Sequence, residues 1–186
     1  AAVIVGAAIP LGFAAAPKPD TNDTRMKRFL KVVHLLLALV TIGTELLTIL
    51  WSTVSLNKLA EVAVAPSKGV FELLARDFEV QWLGCNIHFF LGLCALAAMT
   101  GFNVLINFGA ALGRIGAFSS AAGVLMMISI LNDGIAQGDG KGVRFGMNVM
   151  SLLCRYLQLI FARAARGHVL LATSLALGVI ATGAAL

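Results

Sequence analysis

The chain has 186 residues, of which 59% are hydrophobic and only 12% are charged, and its mean hydropathy is +0.92. About a quarter of the residues in a soluble domain are charged, so this composition argues against a water-exposed surface. Long apolar runs cross a bilayer as helices. The sequence therefore predicts one membrane domain of the all-α class, a helical bundle with about four transmembrane helices and additional amphipathic interfacial helices.

The net charge of +5 would suggest a nucleic-acid partner in a soluble protein. Here the basic residues flank apolar runs, so they are interpreted as anchors to lipid headgroups, and no nucleic-acid partner is predicted. Cys85, Cys94 and Cys154 form an odd set without CxxC spacing. This argues against a disulfide framework and against a metal site.

The first sixteen residues are small and apolar. They are too short to cross a hydrocarbon core of about 30 Å, and Pro10 would disturb a helix. We expect a surface-lying segment or the remnant of a longer helix. The chain begins with Ala instead of Met, and removal of a targeting peptide is one explanation. Residues 17–23 are predicted to form a turn-rich linker.

Apolar runs predict the transmembrane helices. The first follows a basic cluster that includes Arg25 and Lys31, and Trp51 near its far end is typical of the aromatic belt at a membrane interface. The last run carries no charge. The predicted spans are 29–57, 82–107, 115–131 and 168–186.

Two amphipathic segments, 67–80 and 147–166, predict interfacial helices. On a helical wheel of the second segment, Arg155 lies opposite the apolar stripe. Placing Arg155 at the centre of a bilayer would cost about 2.5–3.5 kcal/mol on insertion scales. The alternative is a five-span arrangement with residues 147–161 in the membrane. The predicted stripe comprises Met150, Leu153, Cys154, Leu157, Ile160, Phe161 and Ala164.

Glycines mark two connections. Gly109, Gly113 and Gly116 predict a tight turn between the second and third spans and close helix packing beside it. Residues 132–142 are rich in glycine, but they match neither the phosphate-binding GxxxxGK[ST] pattern nor an EF-hand. A plain loop is predicted there.

Polar residues inside a membrane are candidates for function. Glu45 lies near the middle of the first span, and His88 lies at a similar depth in the second. They predict a proton-carrying pair, a pigment site or a structural hydrogen bond between helices. His34 and His168 lie near the ends of spans, where an imidazole can bind a metallated macrocycle or a headgroup.

No catalytic set emerges from the sequence. Neither a Ser/His/Asp arrangement nor a pair of carboxylates can be assembled, so no enzyme activity is predicted. His34 and His88 are expected near opposite ends of antiparallel spans, which argues against one haem between them. A small proton-coupled transporter that uses Glu45 and His88 remains an alternative, although the inverted repeat typical of transporters is absent.

The first span resembles the opening helix of a small four-helix membrane family of unknown function that occurs in plants and animals. The segment 166–178 is similar to the start of that family's last helix, with the order of His and Gly reversed. The family's Pro-x-Tyr-Phe stretch is missing here. The resemblance implies four spans and no activity. The residues that match in the first span are Lys31, Val33, His34, Leu35, Leu36, Gly43 and Thr44.

The chain also resembles the small, nuclear-encoded accessory subunits of algal photosystems, which are rich in Ala and Gly and carry scattered potential chlorophyll ligands. The ExxH-type signature of the chlorophyll a/b-binding family is absent. This resemblance implies a non-catalytic subunit in a chloroplast thylakoid, with other membrane subunits and lipids as partners. Chlorophyll and carotenoid would be its cofactors, bound through His34, Glu45, His88 and His168. A subunit of a respiratory complex in the mitochondrial inner membrane is the other alternative.

Overall fold

The computed structural model describes residues 1–14, 20–61, 65–136 and 148–185, and every regular element within them is helical. Two short stretches, Pro10–Ala14 and Leu74–Phe78, are π-helical. The predicted all-α class is confirmed. The α-helices are α1 (Ala2–Ile9), α2 (Arg25–Glu61), α3 (Val70–Leu73), α4 (Glu79–Asn107), α5 (Gly109–Ala136), α6 (Val149–Ala165) and α7 (Val169–Ala185).

Three helical segments in the described part of the chain are long and apolar enough to cross a membrane: Arg25–Glu61, Leu74–Asn107 and Ala111–Asp133. The 17 residues of α7 extend about 25 Å at 1.5 Å per residue, which is slightly less than a typical hydrocarbon core. Three helices with the length and composition of membrane spans are therefore present, compared with the four that were predicted.

The exposure pattern of α2 is the reverse of that in a soluble helix. Its buried residues recur every three or four positions, so they lie on one face, and most of them are polar, whereas many large apolar side chains point outward. Such a helix suits a lipid environment, where apolar side chains face outward. We call the buried face the inner stripe of α2; it comprises Lys31, His34, Ala38, Thr41, Glu45 and Thr48.

The inner stripe packs against α4, which runs antiparallel to α2. The hydroxyl of Ser52 lies 3.3 Å from the thiol of Cys85. At two positions a glycine of α4 leaves room for a large side chain of α2. A Cβ atom at Gly84 would lie 2.7 Å from the indole Nε1 of Trp51, and one at Gly92 would collide with the carboxyl group of Glu45.

The predicted helix at 67–80 is not separated from the second predicted span in the structure. α3 continues through the π-helical turn Leu74–Phe78 directly into α4, and the second candidate span begins at Leu74. The apolar spacing of residues 67–80 predicted a helix correctly but held no signal for where that helix ends. The Lys58 ammonium group donates to the backbone carbonyl of Asp77 and lies 4.8 Å from the ring centroid of Phe78.

The third span is longer than the predicted 115–131. α5 begins at Gly109, directly after Phe108, because the glycine-containing segment is helical and not a turn. The predicted close packing is confirmed, since a Cβ atom at Gly113 would lie 2.8 Å from the Cα atom of Leu105. The first part of the predicted 132–142 loop is also helical, as far as Ala136; residues 137–142 lie outside the described residues.

The predicted amphipathic segment 147–166 corresponds to α6. Asn148 caps it reciprocally: its side chain accepts from the backbone N–H of Ser151 at 2.9 Å, and the Ser151 hydroxyl accepts from the backbone N–H of Asn148 at 3.0 Å. Of the predicted apolar stripe, Ile160 is buried, whereas Met150 and Phe161 are exposed. The side of α6 that enters the core carries Leu152, Tyr156 and Ile160.

The N-terminal segment packs against the bundle. α1 ends at Ile9, and the helix changes to π-helical geometry at Pro10, where an interior proline removes a backbone hydrogen bond. Ala8 is fully buried. Gly12 lies against Ala38 of the inner stripe, so close that a Cβ atom at Gly12 would collide with the Ala38 side chain. Residues 15–19, which include the first three residues of the predicted linker 17–23, lie outside the described residues.

Candidate functional site

The Glu45 carboxyl group is the most unusual polar group in the described part of the chain. Its side chain is 0% exposed, and neither carboxyl oxygen has a hydrogen-bond partner. The amino nitrogen of Ala1 is 3.8 Å from Oε2, which exceeds a hydrogen bond. Buried polar groups in folded proteins nearly always have such partners, so this group calls for an explanation.

Nearby hydroxyls do not supply the missing bonds to Glu45. The Thr41 and Thr48 hydroxyls, one turn to either side on the inner stripe, donate to backbone carbonyls of α2, at 2.8 Å to Leu37 and 3.0 Å to Thr44. Hydroxyls in membrane helices commonly bond to the preceding turn in this way. The backbone of Gly92 forms the wall that Glu45 faces on α4.

His88 lies one turn from Gly92 on α4, or about 6 Å along the axis. Its Nδ1 atom is 2.7 Å from the backbone oxygen of Gly84. A carbonyl oxygen can only accept, so Nδ1 carries the proton and Nε2 carries the lone pair of the neutral ring. The ring also meets Tyr156 edge to face, with 5.2 Å between centroids. Glu45 and His88 therefore lie one turn apart, without the direct hydrogen bond that was considered.

His34 lies on the same inner stripe as Glu45, eleven residues or about 16 Å away. It is fully buried, and neither ring nitrogen has a hydrogen-bond partner. One turn before it, the Lys31 ammonium group forms an ion pair with Asp23 at 2.5 Å. This hydrogen bond is the main reason why the pKa of the Asp23 carboxyl is below its ordinary value. The ion pair closes the end of the stripe nearest to the start of α2.

His168 lies apart from these residues, at the start of α7, where it is exposed. Its backbone carbonyl accepts from the N–H of Ala172 at 3.0 Å. The four residues predicted from the sequence therefore divide into two groups. Glu45 lies in the α2–α4 contact, His88 lies one turn along α4 from the glycine that Glu45 faces, and His34 lies further along the stripe of Glu45, whereas His168 is separate and exposed.

Sequence reasoning missed Gly84 and Gly92, and it interpreted Trp51 only as an anchor at the membrane interface. Gly84, His88 and Gly92 are four residues apart, so they lie on one face of α4, and small residues at this spacing predict close helix contact. That signal was available at 84 and 92 but was recognised only at 109, 113 and 116. The indole nitrogen of Trp51 is buried beside Gly84, within the same helix contact.

The described residues contain no group of three or more His, Cys, Asp or Glu side chains that could hold a metal ion. Comparison of the chain with protein-family models, with curated proteins and with solved structures finds no match. The two resemblances noted in the sequence therefore stay predictions, and the function has to be inferred from the geometry of the helices.

Proposed function

We propose that the protein is a non-catalytic accessory subunit of a larger membrane complex, and that it packs against other membrane-spanning subunits through α5 and α7. The observation that carries this proposal is that the side chains of these two helices are largely exposed. None of the residues in the most apolar stretch of α5 is buried inside the protein, compared with 28% for α2 and 22% for α4.

The outer surface beside α5 is suited to a partner helix. A groove of about 410 Å³ runs between α4 and α5. Small side chains let helix backbones approach closely, and this is the main basis of helix packing within lipid. A transmembrane helix of a partner subunit is the occupant that this surface favours. Small residues that line the groove are Ala98, Gly101, Ala117, Ser120 and Ala121.

α7 supports the same proposal. Every residue of α7 whose exposure is described is exposed. Within the described part of the chain, α6 is the helix against which α7 packs, and that contact is small. A helix with so little intramolecular contact gains its position from lipid or from a partner. We propose that α7 is a fourth span, held upright in the complex by neighbouring subunits.

The photosystem of an algal thylakoid is the complex that we propose, on the basis of the resemblance to its small accessory subunits; the mitochondrial inner membrane is the second choice. Of the four predicted pigment ligands, His168 best suits this role. A chlorophyll macrocycle is wide and needs an open approach to the imidazole, which His168 offers, whereas His34 and Glu45 are fully buried. His88 is nearly so, at 9% exposure.

Photo-crosslinking in the native membrane tests the packing surface. A crosslinking amino acid at Leu125, which lines the groove and is 66% exposed, should yield adducts with another membrane protein. The matched control is Leu39 on the outer face of α2, which is 52% exposed and should yield mainly lipid adducts. Protein adducts from Leu39 but not from Leu125 would refute the proposed surface.

A further inference from the structure

We propose that Glu45 is a buried proton-binding site that α1 closes. This inference does not depend on membership of any complex. It rests on three observations: a carboxyl group without a hydrogen-bond partner, a cradle that is shaped for that group, and a short helix placed over it.

The charge of the Glu45 carboxyl group depends on its burial. An ionised carboxylate that loses its hydration without gaining hydrogen bonds costs several kcal/mol or more, and such groups take up a proton instead. Both oxygens of Glu45 are buried and without hydrogen bonds; the amino group of Ala1 lies within ion-pair distance of Oε2, at 3.8 Å, but is too far away to donate a hydrogen bond. A carboxylic acid is therefore the form that this site holds, and the site can release its proton only when water or a base reaches it.

The cradle of Glu45 lies at Gly92 of α4. Gly92 provides the space that the Glu45 carboxyl group occupies, because any side chain there would collide with it. The titratable groups of α4 nearest along the chain are the Cys94 thiol, two residues from Gly92, and His88, one turn from Gly92, whose Nε2 lone pair makes it the more suitable proton acceptor. Cys85 of α4 faces Ser52 and the carbonyl of Thr48. On α2, Lys31 and His34 lie on the same stripe as Glu45, about 16 Å or more away.

The access of water to Glu45 depends on α1. α1 has no titratable side chain, and the charged group that it brings to the site is the amino group of Ala1, 3.8 Å from Glu45 Oε2. It runs antiparallel to α2, with the nitrogen of Ala1 beside Glu45 and the following π-helical turn at Ala38. The Gly12 position is also close to Met99 of α4, since a Cβ atom there would lie 3.4 Å from the Met99 sulfur. α1 thus lies against both partners of the site, and its displacement would admit water to Glu45.

Infrared spectroscopy of the purified full chain tests the protonation state. At neutral pH the wild type should show the carbonyl stretch of a protonated carboxyl group. Glu45→Gln should remove this band, whereas the control Glu61→Gln, at an exposed position on the same helix, should leave it in place. Circular dichroism confirms that each variant is folded. A spectrum that Glu45→Gln leaves unchanged would show that Glu45 is ionised, and would overturn the proposal.

The closing role of α1 is tested by the rate at which the band shifts in D₂O. Gly12→Val collides with Ala38 and should displace α1, whereas the matched control Gly6→Val lies in open space on the same segment. We expect exchange at least about tenfold faster in Gly12→Val than in Gly6→Val, because local opening limits access to a buried group. Equal rates in the two folded variants would refute the closing role of α1.

Discussion

At the scale of single residues, glycine determines how closely α2 and α4 approach. Gly84 and Gly92 leave room for Trp51 and Glu45, whereas at Gly43 on α2 and Gly123 on α5 an added Cβ atom would have no neighbouring atom within 4 Å. Glycines of identical helical context therefore differ in what they contribute, and this difference can be measured.

We expect Gly92→Ala to destabilise the protein by about 1–3 kcal/mol, because the added methyl overpacks the contact with Glu45. The matched variant Gly123→Ala should be neutral or stabilising by up to about 1 kcal/mol, since alanine is the better helix former. Unfolding in mixed detergent micelles measures both. Similar losses of stability in the two variants would argue against the close packing of Glu45 and Gly92.

The Asp23–Lys31 ion pair predicts a dependence on pH. The pKa of Asp23 is lowered from its ordinary value of 3.8, mainly by the hydrogen bond from Lys31. The unfolded chain therefore binds the proton first as pH falls. The stabilisation is complete above the ordinary pKa and is lost as pH falls through the lower pKa of the folded state.

Thermal unfolding at a series of acidic pH values should show that Asp23→Asn removes part of this acid-induced loss of stability. The control, Asp133→Asn, changes an exposed carboxyl group and should leave the loss unchanged. If wild type and Asp23→Asn lost stability in parallel down to about pH 2, below the ordinary carboxyl range, the ion pair would not be the source of the dependence.

At the scale of elements, α6 is joined to the bundle by packing, by an ion pair and by a hydrogen bond of 2.8 Å from the backbone N–H of Val149 to the side chain of Asn132 on α5. Leu152, Tyr156 and Ile160 enter the core beside Val80 and Leu83 of α4. The Arg155 guanidinium group lies 2.8 Å from the Glu79 carboxylate at the start of α4. Partly exposed ion pairs contribute little to stability, so apolar packing is the main attachment of α6.

Leu152→Ala should destabilise the protein by about 2–5 kcal/mol, as expected for a leucine removed from a packed core. Leu157→Ala changes the same residue type on the exposed side of the same helix, where it is 41% exposed, and should cost less than about 0.5 kcal/mol. Unfolding curves of the two variants give the comparison. Equal costs would argue against one-sided packing of α6, and a larger cost for Leu157→Ala would place its opposite side toward α4.

The sequence predicted some of these elements better than others. An apolar run with flanking charges indicated α2 and α4, because length and hydropathy are local properties. The same reasoning separated α3 from α4, because the polar residues near Asp77 resemble a helix boundary. In the structure the helix continues there, since no proline or glycine interrupts it. Glu45 was recognised as a carboxyl group at membrane depth. The position of Gly92 opposite Glu45 was not recognised. Which residues of two helices face each other depends on contacts between the helices, and the sequence of one helix does not specify them.

At the scale of the whole molecule, the directions of the helices determine which of their ends lie together. α2, α4 and α5 alternate in direction, so the end of α2, the start of α4 and α6 meet at one face, in agreement with the Arg155–Glu79 ion pair. If α7 crosses the membrane as proposed, the end of α7 returns to the face where α2 begins.

Accessibility labelling in sealed vesicles tests this arrangement. In a chain without native cysteines, Thr21→Cys and a cysteine added after the last residue should react from the same side. Gly69→Cys, in the exposed connection before α3, should react from the opposite side. A terminal cysteine that reacts together with Gly69→Cys would show that α7 does not cross.

We propose that the protein works as a subunit of a larger, pigment-containing membrane complex. The most direct measurement is extraction from the native membrane in mild detergent, followed by native electrophoresis, an absorption spectrum of the band that contains the chain, and mass spectrometry of its proteins. We predict a band far above the 19.5 kDa of the chain, with chlorophyll absorption and photosystem core proteins. A colourless band that contains only this chain would contradict the claim.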